Sequence, residues 1–521
     1  MTNDRRMVHG AQASGSEVSR GRAAVVWFKR DLRLHDHRAL MAAAEHHRII
    51  PLFIQEPQNA LAEGLDAATL EFGASCAEAL DRGLRSIGGR LVVRCGDPVE
   101  VLERLHGEVA FETIHAHEET GGVETFARDR AVARWCRSQG VDFVEHAQHG
   151  VIRRMQGRDG WAAKWNRTMS RAEVVDPRND REGKRIEFAA IRDPGRLRSL
   201  DGDGIQRIPR SHLQPGGEDH ALGTLDGFLH RRGRDYRSGM SSPVTAADAC
   251  SRISAHLAWG SLSIRRAHQA ARVRQASVRE DGGPSGWAGS LASFQSRLRW
   301  HCHFMQKLED EPTLETRCMN PAYEGLRQVW NEEHLERWKS GMTGFPMVDA
   351  VMRSLRATGW ATFRMRALVV SFACHHLQID WRPVGRHLAR LFLDYEPGIH
   401  WSQCQMQAGV TGINTVRIYS PIKQVVDQDP TGVFIRRWVP ELAEVPDEHL
   451  ASPELMPKMT QRFAGCMIGE DYPPPMVDHA EAYRHARDIV FRHRGSSEAR
   501  SASREVLKKH GSRRRGPRQK R

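Results

Sequence analysis

The sequence predicts an α/β domain built on a doubly wound parallel sheet, followed by a larger all-α domain. Two observations carry this. Between residues 22 and 145 short apolar runs alternate with longer amphipathic ones. From 219 to 494 helical periodicity dominates and β-branched runs are scarce. Five runs read as buried strands: AAVVWF, IIPLFI, RLVVRC, ETIHAH and VDFVEH. Between them AATLEFGASCAEALDRGLRSIG, PVEVLERL and TFARDRAVARWCRSQG read as helices. Alternation at this spacing places helices on both faces of a parallel sheet. No GxGxxG follows the first strand, so an ordinary dinucleotide-binding turn is not indicated.

The remaining segments follow from composition. Residues 1–21 are polar, lack a signal-peptide pattern and are expected to be disordered. Residues 146–218 are rich in Arg, Asp, Gly and Pro and read as an interdomain linker with one aromatic segment, GRDGWAAKWNRTM. Residues 495–521 form a basic tail, expected to be disordered, with ten Lys/Arg against two Glu, so it carries +8 of the formal net charge of +13. Such a tail attracts polyanions by counterion release, or is simply a solvated end. No run of 18 apolar residues suggests a membrane span. The nine cysteines are scattered without a CxxC, which argues for a reducing cytoplasm and against disulfides, a zinc ribbon or an iron–sulfur site. No metal is expected.

Gly359 to Pro421 is the most informative stretch. GWATFRMRALVVSF, DWRPVGRHLARLFLDYEPGIHW and QMQAGVTGINTVRIYSP join an arginine, an acidic loop and several tryptophans in one helical run. Upstream, RDYRSGMSSPVTAADACSRISAHLAWGSLS supplies hydroxyls and helix starts, groups that meet phosphates without a metal. With the opening VVWFKRDLRLHDHRAL and with TGFPMVDAVMRSL, these segments resemble the cryptochrome/DNA photolyase family over residues 23–494.

The resemblance implies bound FAD. Tyr236 matches a phosphate-contacting tyrosine, and Cys250, Ser251, Arg252, Ile253 and Ser254 resemble the family's Thr-Ser-Arg-Leu-Ser diphosphate segment, with cysteine in place of the first threonine. Arg366 and Asp394 match an ion pair beside the flavin ring; a buried arginine needs a buried acid. Tyr395 and Glu396 follow, Glu396 at a second acidic position near the ribityl chain or pyrimidine edge. The family's α/β domain can hold an antenna pigment, a folate or a deazaflavin. Glu118 and Glu119 fall where a family acid contacts folate, although a surface carboxylate pair is the commoner reason for such a doublet.

On the DNA-facing side the resemblance implies Arg297, Trp300, His301, Phe363, Arg364 and Gln424, with pyrimidine-dimer DNA as the partner and a monomeric protein. Four departures stand out. Arg297 replaces the glutamate that hydrogen-bonds a cyclobutane dimer, and Phe363 replaces a substrate-contacting asparagine. Thr362 and Ala367 occupy the places of the paired histidines of (6-4) photolyases, leaving His375 and His376 as ordinary helix histidines. Cys404 stands where the tryptophan nearest the flavin would be; Trp381 fits the middle member of that electron-transfer chain, Trp330 the outer one, and Trp401 could substitute for the missing member. The expected function is a light-driven photolyase splitting pyrimidine dimers by electron transfer from reduced flavin. A cryptochrome photoreceptor is the alternative, and a flavin oxidoreductase unrelated to light is the remaining class.

Overall fold

The computed structural model describes residues 22–511 apart from 46, 156, 180–185, 201 and 328–329. The expectation for residues 1–21 lies outside them. Strands β1 (Ala23–Phe28), β2 (Arg48–Gln55), β3 (Val92–Cys95), β4 (Phe111–His117) and β5 (Asp142–His146) form one sheet in the order β3-β2-β1-β4-β5. Every pairing is parallel. All six residues of the central β1 are buried, as a strand covered by helices on both faces requires. Helices Ala67–Ser86 and Pro98–Glu108 begin at Asp66 and Asp97, whose side chains accept from the first-turn N–H groups. The winding reverses between β1 and β4, opening a crevice at the carboxyl ends of the strands.

The turn after β1 is a buried polar latch between the two domains rather than a solvated strand edge. Lys29, Asp31, Arg33, His35, Asp36 and His37 are all buried. Arg33 donates to the carbonyl of Gly260 at 2.9 Å, and Asp36 pairs with Arg265 and Ser263. Glu218 accepts from the N–H groups of Leu34 and His35 at 3.1 and 3.0 Å. Gly260 sits at φ +66°, where a Cβ would lie 2.0 Å from the carbonyl oxygen of Arg30; only glycine lets the two domains approach this closely.

The aromatic segment of the linker is helix Trp161–Ser170, which buries Trp161, Trp165 and Met169 against Leu225 and Phe228 of the helical domain. Further on, Glu187 and Ala189 hydrogen-bond Ile49 at the start of β2 at 2.8 and 3.0 Å, so the linker clamps both domains. The expected disorder of the tail is corrected over most of its length: Ser497–His510 is a helix. Ser496 caps it through Ala499 N–H, Glu498 lies in its first turn, and Lys508 and Lys509 lie in its last. Val506 packs on Leu308, Leu314 and Met319, and Lys509 and His510 pair with Glu311 at 2.9 and 2.6 Å. Two buried contacts and a cap suffice where composition shows mostly charge. Residues 512–521 lie outside the described residues.

Candidate functional site

The largest helical-domain core holds Met365, Leu368, Trp381, Tyr395 and Trp401. Helix Pro397–Ala408 lies across helix Trp287–Asp310, with Gly398 so close that a Cβ would meet the Cα of Met305 at 2.6 Å. These two helices, helix Phe363–Ser371 and the 236–254 segment enclose a cavity of about 540 Å³. That volume lies in the range of cofactor and ligand pockets.

At one wall Arg366 donates through Nη2 to both oxygens of Asp394 at 2.9 and 2.7 Å, and through Nε to the Ala361 carbonyl at 3.0 Å. Its guanidinium stacks on Phe392 at 3.9 Å. Asp394 is buried, whereas the Arg366 side chain is 26% exposed, so this arginine is less buried than the sequence suggested. Arg366 lines the cavity, and its Nη1 makes no hydrogen bond to a described residue. Tyr236, Cys250, Ser251, Arg252 and Ser254 line the same cavity. Arg252 adopts φ +62° and stacks on Trp360 at 3.8 Å. Burial pushes the Cys250 thiol up to about 11, so it stays neutral. Ile253 does not line the cavity; its side chain belongs to the hydrophobic core.

The mouth is cationic and aromatic. Trp300 and Phe363 are 44% and 47% exposed, and Arg297 lies over both rings at 5.1 and 5.9 Å. Arg364 lines the cavity and also an adjoining pocket of about 470 Å³ that contains Gln424, Arg417 and Lys423. Gln424 therefore sits beside the main cavity, not in it.

Two acidic-loop residues lie elsewhere than expected. Tyr395 and Glu396 line a small crevice between the domains, with Arg30 and His149. Glu396 lies 2.7 Å from Nε2 of His301, which in turn lines the main cavity. Burial alone would lower the His301 pKa, but the Glu396 charge raises it to about 10, so the cavity wall carries an imidazolium. Glu396 thus faces His301 and the interdomain crevice and is not among the residues that line the cavity.

Cys404 lines the cavity, buried, with Sγ 3.6 Å from Nε2 of His400. Trp381 is 1% exposed and meets Trp401 edge-on at 5.9 Å, and Trp401 meets His400 at 4.9 Å. Trp330 is 61% exposed and has no ring pairing with Trp381 among the described residues. Sequence reasoning missed His400, Gln403 and Gln407, which line the cavity from one helix. Their spacing of 0, 3 and 7 marks a single helix face and was the available signal. His375 and His376 are more than ordinary helix histidines: they lie in a π-helical turn, Phe372–His376. There His375 donates to the Gln407 carbonyl at 3.0 Å and His376 stacks on His479.

The other domain's crevice differs. At the ends of β1, β2 and β4 the cavity is only about 90 Å³. Arg128 pairs with Glu119 at 2.6 Å and Glu56 at 3.1 Å, and Lys29 pairs with Asp129 at 2.8 Å. Glu119 is thus spoken for, and Glu118 lies 4.0 Å from Arg153. Among the described residues one cluster has metal-ligand spacing: Asp31, His37 and His117. Nδ1 of His37 accepts from Leu40 N–H, so its Nε2 carries the proton donated to Asp31 at 3.0 Å. Nδ1 of His117 donates to the same carboxylate oxygen at 2.7 Å. Protonated nitrogens do not ligate a cation, and the cluster is a structural network.

Comparison with known proteins agrees with this geometry. The family model for the FAD-binding domain of DNA photolyase matches residues 294–492, and that for DNA photolyase matches residues 24–159. A deoxyribodipyrimidine photo-lyase of Streptomyces griseus is 33% identical over 479 residues, covering 88% of this chain and 97% of its own. The chain belongs to the cryptochrome/DNA photolyase family. A cryptochrome DASH of Gloeobacter violaceus is 29% identical over 88% of this chain and 93% of its own. A crystal structure of a bacterial class III photolyase from Agrobacterium tumefaciens superposes with a TM-score of 0.79 at 26% identity, covering 93% of this chain and all of that one. No helix among the described residues of this family member is long and apolar enough to cross a membrane.

Proposed function

We propose that the chain is a FAD-dependent, light-driven photolyase that binds pyrimidine-dimer DNA and splits the dimer by electron transfer. One observation carries the reading: a cofactor-sized cavity joins the Arg366–Asp394 pair to a mouth of exposed Trp300 and Phe363 with Arg297 and Arg364. The donor set fits FAD. Ser251 and Ser254 would meet the diphosphate, and the open donors of Arg366 would meet the ring system. Reduced FAD supplies the photoexcited electron when bound. The chain's own residues position the substrate: Trp300 and Phe363 stack an extruded base, while Arg364 and Arg417 hold phosphates. Arg297 and the His301 imidazolium offer donors and positive charge where negative charge develops on the dimer.

The α/β crevice does not fit a folate or deazaflavin. Its volume of about 90 Å³ is well under the pocket range, and its charged groups already satisfy one another. No step is routed through an antenna there. The basic residues of the tail and the monomeric state remain part of the same proposal.

The test uses purified protein with its flavin chemically pre-reduced and illuminated with oligonucleotides carrying a cyclobutane dimer or a (6-4) product. Restoration of bases is the expected result, and Arg297→Glu should raise cyclobutane-dimer restoration by supplying a carboxylate acceptor beside Trp300. A specific observation favours the cryptochrome alternative: no carboxylate stands at position 297 and no tryptophan at 404. Photoactive FAD with no restoration of either lesion would select that alternative.

A further inference from the structure

Helix Pro397–Ala408 carries three glutamines, and the structure treats them in opposite ways. Gln405 saturates its amide on the protein: Nε2 donates to the carbonyls of Leu314 and Arg317, each at 2.8 Å, and Oε1 accepts from Met319 N–H at 2.6 Å. Gln403 and Gln407, one turn apart on the opposite face, line the main cavity and make no side-chain hydrogen bond to any described residue. Oε1 of Gln403 is buried without a partner. Leaving such a group unpaired costs about 1–3 kcal/mol, which a bound partner would relieve. The same face holds His400, whose Nε2 donates to the Gly385 carbonyl at 2.8 Å, leaving Nδ1 as a bare acceptor.

The backbone beneath these side chains is fixed. His375 holds the Gln407 carbonyl at 3.0 Å, and Gln405 ties the far side of the helix to residues 314–319. The two free amides are therefore presented by a rigid element, the arrangement expected of groups that read a ligand's polar edge. A primary amide offers one acceptor beside two donors. One such amide pairs with a neighbouring C=O and N–H, and a second amide donating to a further carbonyl completes the match to a carbonyl, N–H, carbonyl edge, which is an imide.

We propose that Gln403, supported by Gln407, is the receptor for an imide edge of the group seated in this cavity. Gln403 Oε1 accepts the imide N–H, and the amide N–H₂ groups donate to the flanking carbonyls. The inference rests on the photolyase reading and deepens it, because that reading puts two imides within the cavity: the pyrimidine ring of the flavin and a thymine of the lesion. The cations at the mouth cannot make this distinction, since arginine donates and never accepts.

The test compares wild-type holoprotein with Gln403→Leu, Gln407→Leu and, to guard against a folding defect, Gln403→Asn. Two quantities are read: retention of FAD on exhaustive dialysis, and affinity for oligonucleotides whose thymine dimer is either unmodified or N3-methylated. Loss of one hydrogen bond corresponds to roughly a two- to tenfold change. If FAD dissociates faster by that factor in the variants while the methyl preference is unchanged, the imide is the cofactor's. If FAD is retained, wild type prefers unmethylated dimers and Gln403→Leu loses the preference, the imide is the base's. Wild-type FAD retention and an absence of methyl preference, both unmoved in all three variants, would overturn the proposal. Wild-type protein that purifies without FAD would instead overturn the functional reading beneath it.

Discussion

The two cavities of this molecule are lined by similar numbers of charged groups and yet are built to opposite ends. In the α/β crevice Arg128 sits between Glu56 and Glu119, and Lys29 beside Asp129, so the charges neutralise one another and leave about 90 Å³. In the helical cavity two of the cations are each held by one acid and the other arginines are left open. Asp394 holds Arg366 from one side and Glu396 holds His301 from another, and the cations and amides face about 540 Å³ of space. A ligand site is recognisable less by how many polar groups it has than by which of them the protein leaves open. Pairing also keeps the Asp394 and Glu396 carboxylates from standing alone, which would cost several kcal/mol.

The sharpest way to break this contrast is at the ion pair itself. Arg366→Ala strands the buried Asp394 carboxylate and removes a guanidinium that lines the cavity. We expect purified Arg366→Ala, and likewise Asp394→Ala, to lose most of its flavin and to be less stable by up to about 3–5 kcal/mol for the stranded charge. Glu119→Ala in the other cavity should leave flavin content unchanged. Flavin absorbance per mole of purified protein decides it; full occupancy in Arg366→Ala would remove this pair from the site.

How far these sites were legible in the sequence depends on the physics each one used. The strands were legible because continuous apolar runs such as AAVVWF have few other uses, and Arg366 with Asp394 because both fall within a dense motif. The position of Glu396 was not: its partner is His301, a residue 95 positions away on another helix, and it lines the crevice between the domains. The open state of Gln403 was equally hidden, since Gln405 beside it is chemically identical and differs only in what its face of the helix meets. The tail helix was missed because its two buried apolar side chains, Ala499 and Val506, and the buried His510 carry little weight in a segment dominated by charge. The polar turn after β1 reads as surface until a second domain is packed over it.

Acidity separates the two cavities next. Burial raises the Glu63 carboxyl to about 7, from an ordinary 4.5, despite Arg30 nearby. A raised acid favours the protonated folded state, so its contribution is full below 4.5 and is lost as pH rises through 7. His301, raised from an ordinary 6.5 to about 10, contributes fully below 6.5 and loses that contribution as pH rises through 10. At about 1.4 kcal/mol per unit, the steps are on the order of 3 and 5 kcal/mol. Melting temperature measured from pH 4.5 to 10 should therefore fall in two stages. Glu63→Gln should flatten the first and His301→Gln the second, whatever either does to overall stability. A single stage unaffected by His301→Gln would mean that Glu396 does not hold a charged imidazole.

The smallest effect concerns the tail, and the structure changes how it must be tested. Removing everything after residue 494 would take Val506 from its contact with Leu308 and Leu314, and Ser503 from Asn320, and so would mix a packing loss with a charge loss. Removing only residues 512–521 takes away six Lys/Arg and no acid. If those charges reach phosphate, the logarithmic salt slope of DNA binding should become shallower, by at most about 0.9 per lost contact, with flavin content and lesion preference intact. An unchanged slope would leave all the phosphate contacts to groups such as Arg364 and Arg417 beside the cavity, and the terminal charges would be solvated bystanders.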